Sequence, residues 1–100
     1  DEVPRVLLAS GVIDDLDRIV DPLQGHEVES GEARADRIVS ALDVLADNPF
    51  IGRPAGDYQR ELLIGDGPHG YVALYRVLPL IDIVLVLAIR AQREGGYAQP

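Results

Sequence analysis

After the connector at 48–56 the hydrophobic period changes from that of helices to that of strands, and that change constrains the fold more than any other feature. Val12, Ile13, Leu16, Ile19, Val20 and Leu23 recur at steps of three and four, with Asp14, Asp15, Asp17 and Arg18 between them. That spacing gives one apolar stripe on a helix and a solvated acidic face. Ser10 stands where an N-cap belongs, and Pro22 with Gly25 marks the end. A second helix is predicted from a Ser30 cap to about Ala46. Its apolar line is Ala35, Ile38, Val39, Leu42 and Leu45, with Glu32, Arg34, Asp36, Arg37 and Asp43 outside. Asn48-Pro49 stops it, because proline cannot extend the ladder and disfavours helical geometry in the preceding residue.

Beyond the punctuated connector 48–56 the pattern becomes that of strands. Arg60–Ile64, Gly70–Val77 and Ile81–Ile89 are predicted strands, split by Gly65-Asp66-Gly67-Pro68 and a tight link at 78–80. Val3–Ala9 is a further short strand ahead of the first helix. The apolar run Ile81–Ile89 suits a central strand buried on both faces. Arg90–Pro100 reads as a polar tail. The expected architecture is α+β in one domain of 100 residues. It has an N-terminal strand, a two-helix hairpin and a three-stranded antiparallel meander in one sheet, with the helices on one face.

Charge and composition narrow the chemistry. Seventeen acids face nine bases, for a formal charge of −8, and every base is arginine. A protein that grips phosphates through a general field has the opposite sign, so any nucleic-acid role needs a local arginine cluster. No cysteine is present, which removes disulfides and thiolate metal sites. No apolar run approaches the ~20 residues that span a bilayer, and no signal-like opening is present, so a cytoplasmic location without membrane association is expected. Neither a metal nor a cofactor is expected. Ser10, Ser30 and Ser40 lack a nearby histidine, Asp14-Asp15-Leu16-Asp17 reads as a solvated helix face, and the glycine-rich 65–70 segment does not precede a helix.

Four stretches, taken in order, carry a family resemblance: Ile51-Gly52-Arg53-Pro54, Arg60–Gly65, Gly70–Val77 and Val86–Tyr97. Together they resemble the second half of RelE/ParE superfamily toxins of type II toxin–antitoxin systems, and the element order is similar too. The resemblance implies a bacterial growth inhibitor neutralised by a cognate antitoxin. It further implies one of two mechanisms: metal-free cleavage of messenger RNA on the ribosome, as in RelE-like members, or non-enzymatic poisoning of DNA gyrase, as in ParE-like members. A non-toxic structural or regulatory binding domain of the same fold is the alternative. The groove beside the helix pair and the sheet edges at 3–9 or 60–64 are where an antitoxin would bind, as a helix or an added strand.

Cleavage without a metal needs a base, an acid and positive charge on the phosphate. Arg60, Arg76, Arg90 and Arg93 are the candidate phosphate holders, and Tyr97 matches the C-terminal tyrosine of RelE-like members. Each has a plainer role open to it. Arg76 falls opposite Asp82 if the last two strands pair about 78–80, Arg60 can cover a sheet edge, Arg90 and Arg93 flank Glu94, and Tyr97 can be a packing latch. Two departures weigh against the nuclease. The sheet has no lysine, and Ala91 stands where related toxins often carry histidine, which removes the natural proton carrier near neutral pH. His26 and His69 lie far apart in the sequence, and neither replaces it.

Overall fold

The computed structural model describes residues 4–20, 31–65 and 70–93. Strand β1 (Arg5–Leu8) leads into helix α1 (Ser10–Val20), followed by α2 (Gly31–Leu42) and the single turn α3 (Val44–Asp47). Four strands follow: β2 (Arg53–Pro54), β3 (Arg60–Ile64), β4 (Tyr71–Leu78) and β5 (Ile83–Ala91), with a 3-10 turn at Pro79–Ile81 between the last two. The expected Ser30 cap and the Pro22–Gly25 break lie outside the described residues. The second helix stops by Asn48 as expected, but Asp43 interrupts it between α2 and α3.

The fold is α+β, with a five-stranded mixed sheet in the order β1-β5-β4-β3-β2. The expected meander β3-β4-β5 is antiparallel throughout. Two strands enlarge it. β1 pairs with β5 in parallel, Arg5 to Ile83 through Leu8 to Val86, so the sheet is not wholly antiparallel. The long stretch of chain between them permits this, because parallel neighbours need a crossover that a hairpin cannot supply. β2, inside what the sequence presents as connector, pairs Arg53 with Glu61 and Pro54 with Arg60. Proline is tolerated there because β2 is an edge strand.

The core lies between the sheet and the helices. Val12 and Ile19 of α1 and Ile38, Leu42 and Leu45 of α2 and α3 meet Ile64, Tyr71, Ala73, Tyr75, Val84, Val86 and Ile89. Ile13 and Val39, assigned by sequence to the apolar stripes, are exposed. The β4–β5 ladder shifts register after Leu74, so that Leu74 faces Ala88 but Tyr75 faces Val86. Leu87 is therefore an inserted residue. Val84 and Val86 point to the helices before it and Ile89 after it, as a bulge requires.

Two polar residues predicted as solvent-facing are buried. Asp15 is 1% exposed and Arg34 is 8% exposed. β1 ends at Leu8, level with Val86, so the outer edge of β5 has no strand partner further on. The Asp15 carboxylate accepts the Ile89 N–H at 2.9 Å, while Arg18 donates to the Ile89 carbonyl at 3.4 Å. One helical turn thus presents an acceptor and a donor to the edge that β1 leaves open. Arg34 donates at 2.7 Å to the Ile19 carbonyl near the end of α1. It supplies a partner for one of the carbonyls that a helix terminus leaves unpaired.

Candidate functional site

The sequence that carries the family resemblance builds a close-packed corner before it builds anything catalytic. A Cβ on Gly52 would lie 2.6 Å from both the Glu61 carbonyl oxygen and the Tyr75 hydroxyl, so only glycine fits. Its N–H donates to the Tyr75 hydroxyl at 2.8 Å. Tyr75 is fully buried, and desolvation pushes its pKa up; the Gly52 hydrogen bond and the Arg60 charge pull it partway back. Arg60, opposite Tyr75 on β3, donates at 2.6 Å to the Gly52 carbonyl and at 3.2 Å to that of Phe50. Its guanidinium also lies over the Phe50 ring, 5.2 Å from the centroid. Arg53 pairs with Glu61 at 3.1 Å across the β2–β3 ladder. Arg60 and Arg53 thus hold the connector against the sheet.

Among the described residues, Arg76, Arg90 and Arg93 do not join Arg60. Strand alternation puts Arg60, Leu62 and Ile64 on the helix side of β3 and places Arg76 on the opposite face of β4. Arg76 is exposed and faces Leu85; it does not face Asp82. The link is longer than the sequence implies, a 3-10 turn closed by Asp82 in the left-handed conformation (φ 52), which moves the register by three residues. Arg90 is not beyond the last strand but inside β5, opposite Val72. It shares the face of Arg76 but sits four residues along the ladder, about 13 Å away at the usual strand rise. Its guanidinium folds back on the carbonyls of Ala91 and Gln92, at 3.3 Å each. Arg93 is exposed in the turn after β5. Tyr97, His26 and His69 lie outside the described residues.

What the structure does bring together is charge. The described strands carry Arg5, Arg53, Arg60, Arg76 and Arg90 against one acid, Glu61. Arg5, Arg53, Arg76 and Arg90 all lie on the face away from the described helices. The helical layer is the reverse. Asp14, Asp17, Glu32, Asp36, Asp43 and Asp47 are exposed there, and Arg37 is the only exposed base among its described residues. An acidic chain therefore presents a basic sheet face, and within a Debye length of about 8–10 Å that face sets the local sign.

A second feature escaped the sequence. Where β3 begins and β4 turns into β5, a cleft of about 330 Å³ is lined by Phe50, Pro54, Tyr58, Arg60, Val77 and Pro79, among others. Phe50, Tyr58, Leu80 and Ile81 around it are exposed. The only advance sign of it was the aromatic residues set among the turn-forming residues of the connector.

The chain's relatives are consistent with one another. A profile of the family described as "ParE toxin of type II toxin-antitoxin system, parDE" matches residues 6–95. Toxin RelE3 of Caulobacter vibrioides is 34% identical over 80 residues, spanning 80% of this chain and 85% of that protein. Among solved structures, the chromosomal ParDE toxin–antitoxin system of P. aeruginosa superposes with a TM-score of 0.74 at 22% identity, covering 91% of this chain and 98% of that one. The RelBE2 toxin–antitoxin complex of Mycobacterium tuberculosis superposes at 0.60 with 19% identity, covering 90% and 99%. The archaeal RelE–RelB complex of Pyrococcus horikoshii superposes at 0.58 with 17% identity, covering 94% and 99%. At these identities the superpositions speak for the fold alone.

Proposed function

Because the chain belongs to the ParE toxin family of type II toxin–antitoxin systems, we propose that it arrests bacterial growth in the cytoplasm by poisoning DNA gyrase and that a cognate antitoxin neutralises it. The observation that carries the choice of target is the scatter of the candidate arginines. Metal-free RNA cleavage requires its base, acid and phosphate-holding charges within hydrogen-bond reach of one phosphate. Here Arg60 is on the helix side and bonded to two backbone carbonyls. Arg76 and Arg90 are about 13 Å apart along the opposite face. Ala91 ends β5 without a proton carrier. A toxin that acts by occupying a protein surface needs no such convergence.

An antitoxin partner is supported by the relatives solved as toxin–antitoxin complexes. RNA cleavage on the ribosome is the second reading, favoured by one observation, the line of arginines on the outer sheet face. Two assays on the purified chain separate the readings. Gyrase poisoning predicts loss of supercoiling and accumulation of cleaved DNA, with ribosome-bound messenger RNA left intact. Cut messenger RNA with unaffected supercoiling refutes it.

A further inference from the structure

The walls of the cleft at the β3–β4 end of the sheet are mostly apolar, with Gln59 polar among them. Phe50, Pro54, Tyr58, Val77 and Pro79 are apolar or aromatic, and Arg60 is the one charged side chain among them. The Nη1 of Arg60 is spent on the carbonyls of Phe50 and Gly52, and its Nε and Nη2 have no partner among the described residues. Tyr58 stands at 83% exposure with φ 65, a left-handed conformation that costs a non-glycine residue on the order of 1 kcal/mol or more. Next to the cleft, the turn after β4 carries Leu80 at 99% exposure, Ile81 at 62%, and then Asp82. Leu80 touches almost nothing in its own chain, so the turn does not fill its own cleft.

We infer that this end of the molecule is a self-association surface, in which the Leu80–Ile81–Asp82 turn of a second copy seats in the cleft. Leu80 enters between Phe50 and Tyr58, and Asp82 answers the open donors of Arg60. Turn and cleft adjoin on one surface, so a single two-fold axis satisfies both copies at once, as an isologous contact requires. The charge distribution favours this end over the helical layer, where a like contact would bring two sets of exposed acids together. The patch is small against the roughly 1,600 Å² of a standard interface, so the dimer is a weak one that dissociates in the micromolar range. The proposal is independent of which target the protein poisons.

Sedimentation of the full chain over about 1 to 300 µM brackets such a dissociation constant. A monomer–dimer equilibrium is expected, and Leu80→Asp should weaken it by about tenfold or more, through loss of the apolar anchor. That substitution sits on a fully exposed side chain and should leave the fold intact. Because the chain has no cysteine, Leu80→Cys and Tyr58→Cys made separately and mixed under oxidising conditions should give a disulfide-linked pair. A monomer at every concentration overturns the proposal, as does a dimer that Leu80→Asp leaves unchanged and the cysteine pair fails to link. Growth arrest abolished by Leu80→Asp when the parent chain is itself monomeric at every concentration also overturns it, and assigns the patch to a different partner.

Discussion

Replacing Asp15 with alanine tests how the helical layer is fastened to the sheet. The carboxylate is 1% exposed, accepts the Ile89 N–H at 2.9 Å and lies 3.5 Å from Arg18. Its removal leaves the Ile89 N–H buried with no acceptor, at a cost of about 1–3 kcal/mol. Losing the ion pair adds less than the 3–5 kcal/mol typical of a broken buried pair, because the Arg18 side chain is 34% exposed and can turn to water. A total of about 2–3 kcal/mol follows, or a fall in Tm of roughly 10–20 °C for a domain of this length. Asp15→Asn keeps an acceptor for Ile89 and should lose about half as much. Arg18→Ala should cost at least as much as Asp15→Ala, since it strands a buried carboxylate, whereas the other change frees a cation that reaches solvent. Urea unfolding at constant m gives the stability differences, and hydrogen exchange at the Ile89 amide reports the local loss. If Asp15→Ala unfolds within about 0.5 kcal/mol of the parent with Ile89 protection unchanged, this reading of the β5 edge is wrong.

Three further outcomes are expected. Gly52→Ala forces a Cβ to within 2.6 Å of the Glu61 carbonyl and the Tyr75 hydroxyl, and should cost about 1–3 kcal/mol in thermal unfolding. Tyr75→Phe strands the Gly52 N–H at a cost of about 1–2 kcal/mol, and it also changes the alkaline limb of stability. With the folded pKa raised above the ordinary value of 10.0, the native state holds its proton while the unfolded chain releases one. Stability therefore falls as pH rises above 10 towards the raised folded value, and the phenylalanine variant should lack that component in denaturation at graded pH. Arg76→Ala should leave stability within about 0.5 kcal/mol of the parent, since Arg76 is exposed and has no hydrogen-bonded or ionic partner among the described residues; equilibrium unfolding checks this.

The helices were legible because Val12 and Ile19, and Ile38, Leu42 and Leu45, keep the spacing of a buried stripe. Asp15 and Arg34 share that spacing. Their residue types hid their burial, and the groups that satisfy them are distant: Ile89 is 74 positions from Asp15, and Ile19 is 15 from Arg34. The meander is legible from its turns and β1 from its short apolar run, but no local signal sets the parallel pairing of β1 with β5. β2 escaped because it is two residues long and contains a proline. In β5, an almost wholly apolar sequence conceals the inserted Leu87, since alternation cannot show a change of face when both faces are apolar. Arg90 lies in β5 beyond the end of its apolar run, where a charged residue looks like the start of a tail, and Arg76 shifts register because the link holds four residues, Pro79 to Asp82. Among the candidate site residues, the sequence could name the arginines but not their faces, and their faces are what argues against a single cleavage centre.

Induced expression of the chain in bacteria, with and without the product of its neighbouring reading frame, tests the toxin function most directly. Growth and plasmid supercoiling would be followed in the same cultures. The expected result is arrest of growth together with relaxed plasmid and cleaved chromosomal DNA, all relieved when the antitoxin is co-expressed. Unimpaired growth at full expression of the folded chain contradicts a toxin function, and arrest with normal supercoiling and cut messenger RNA contradicts gyrase as the target.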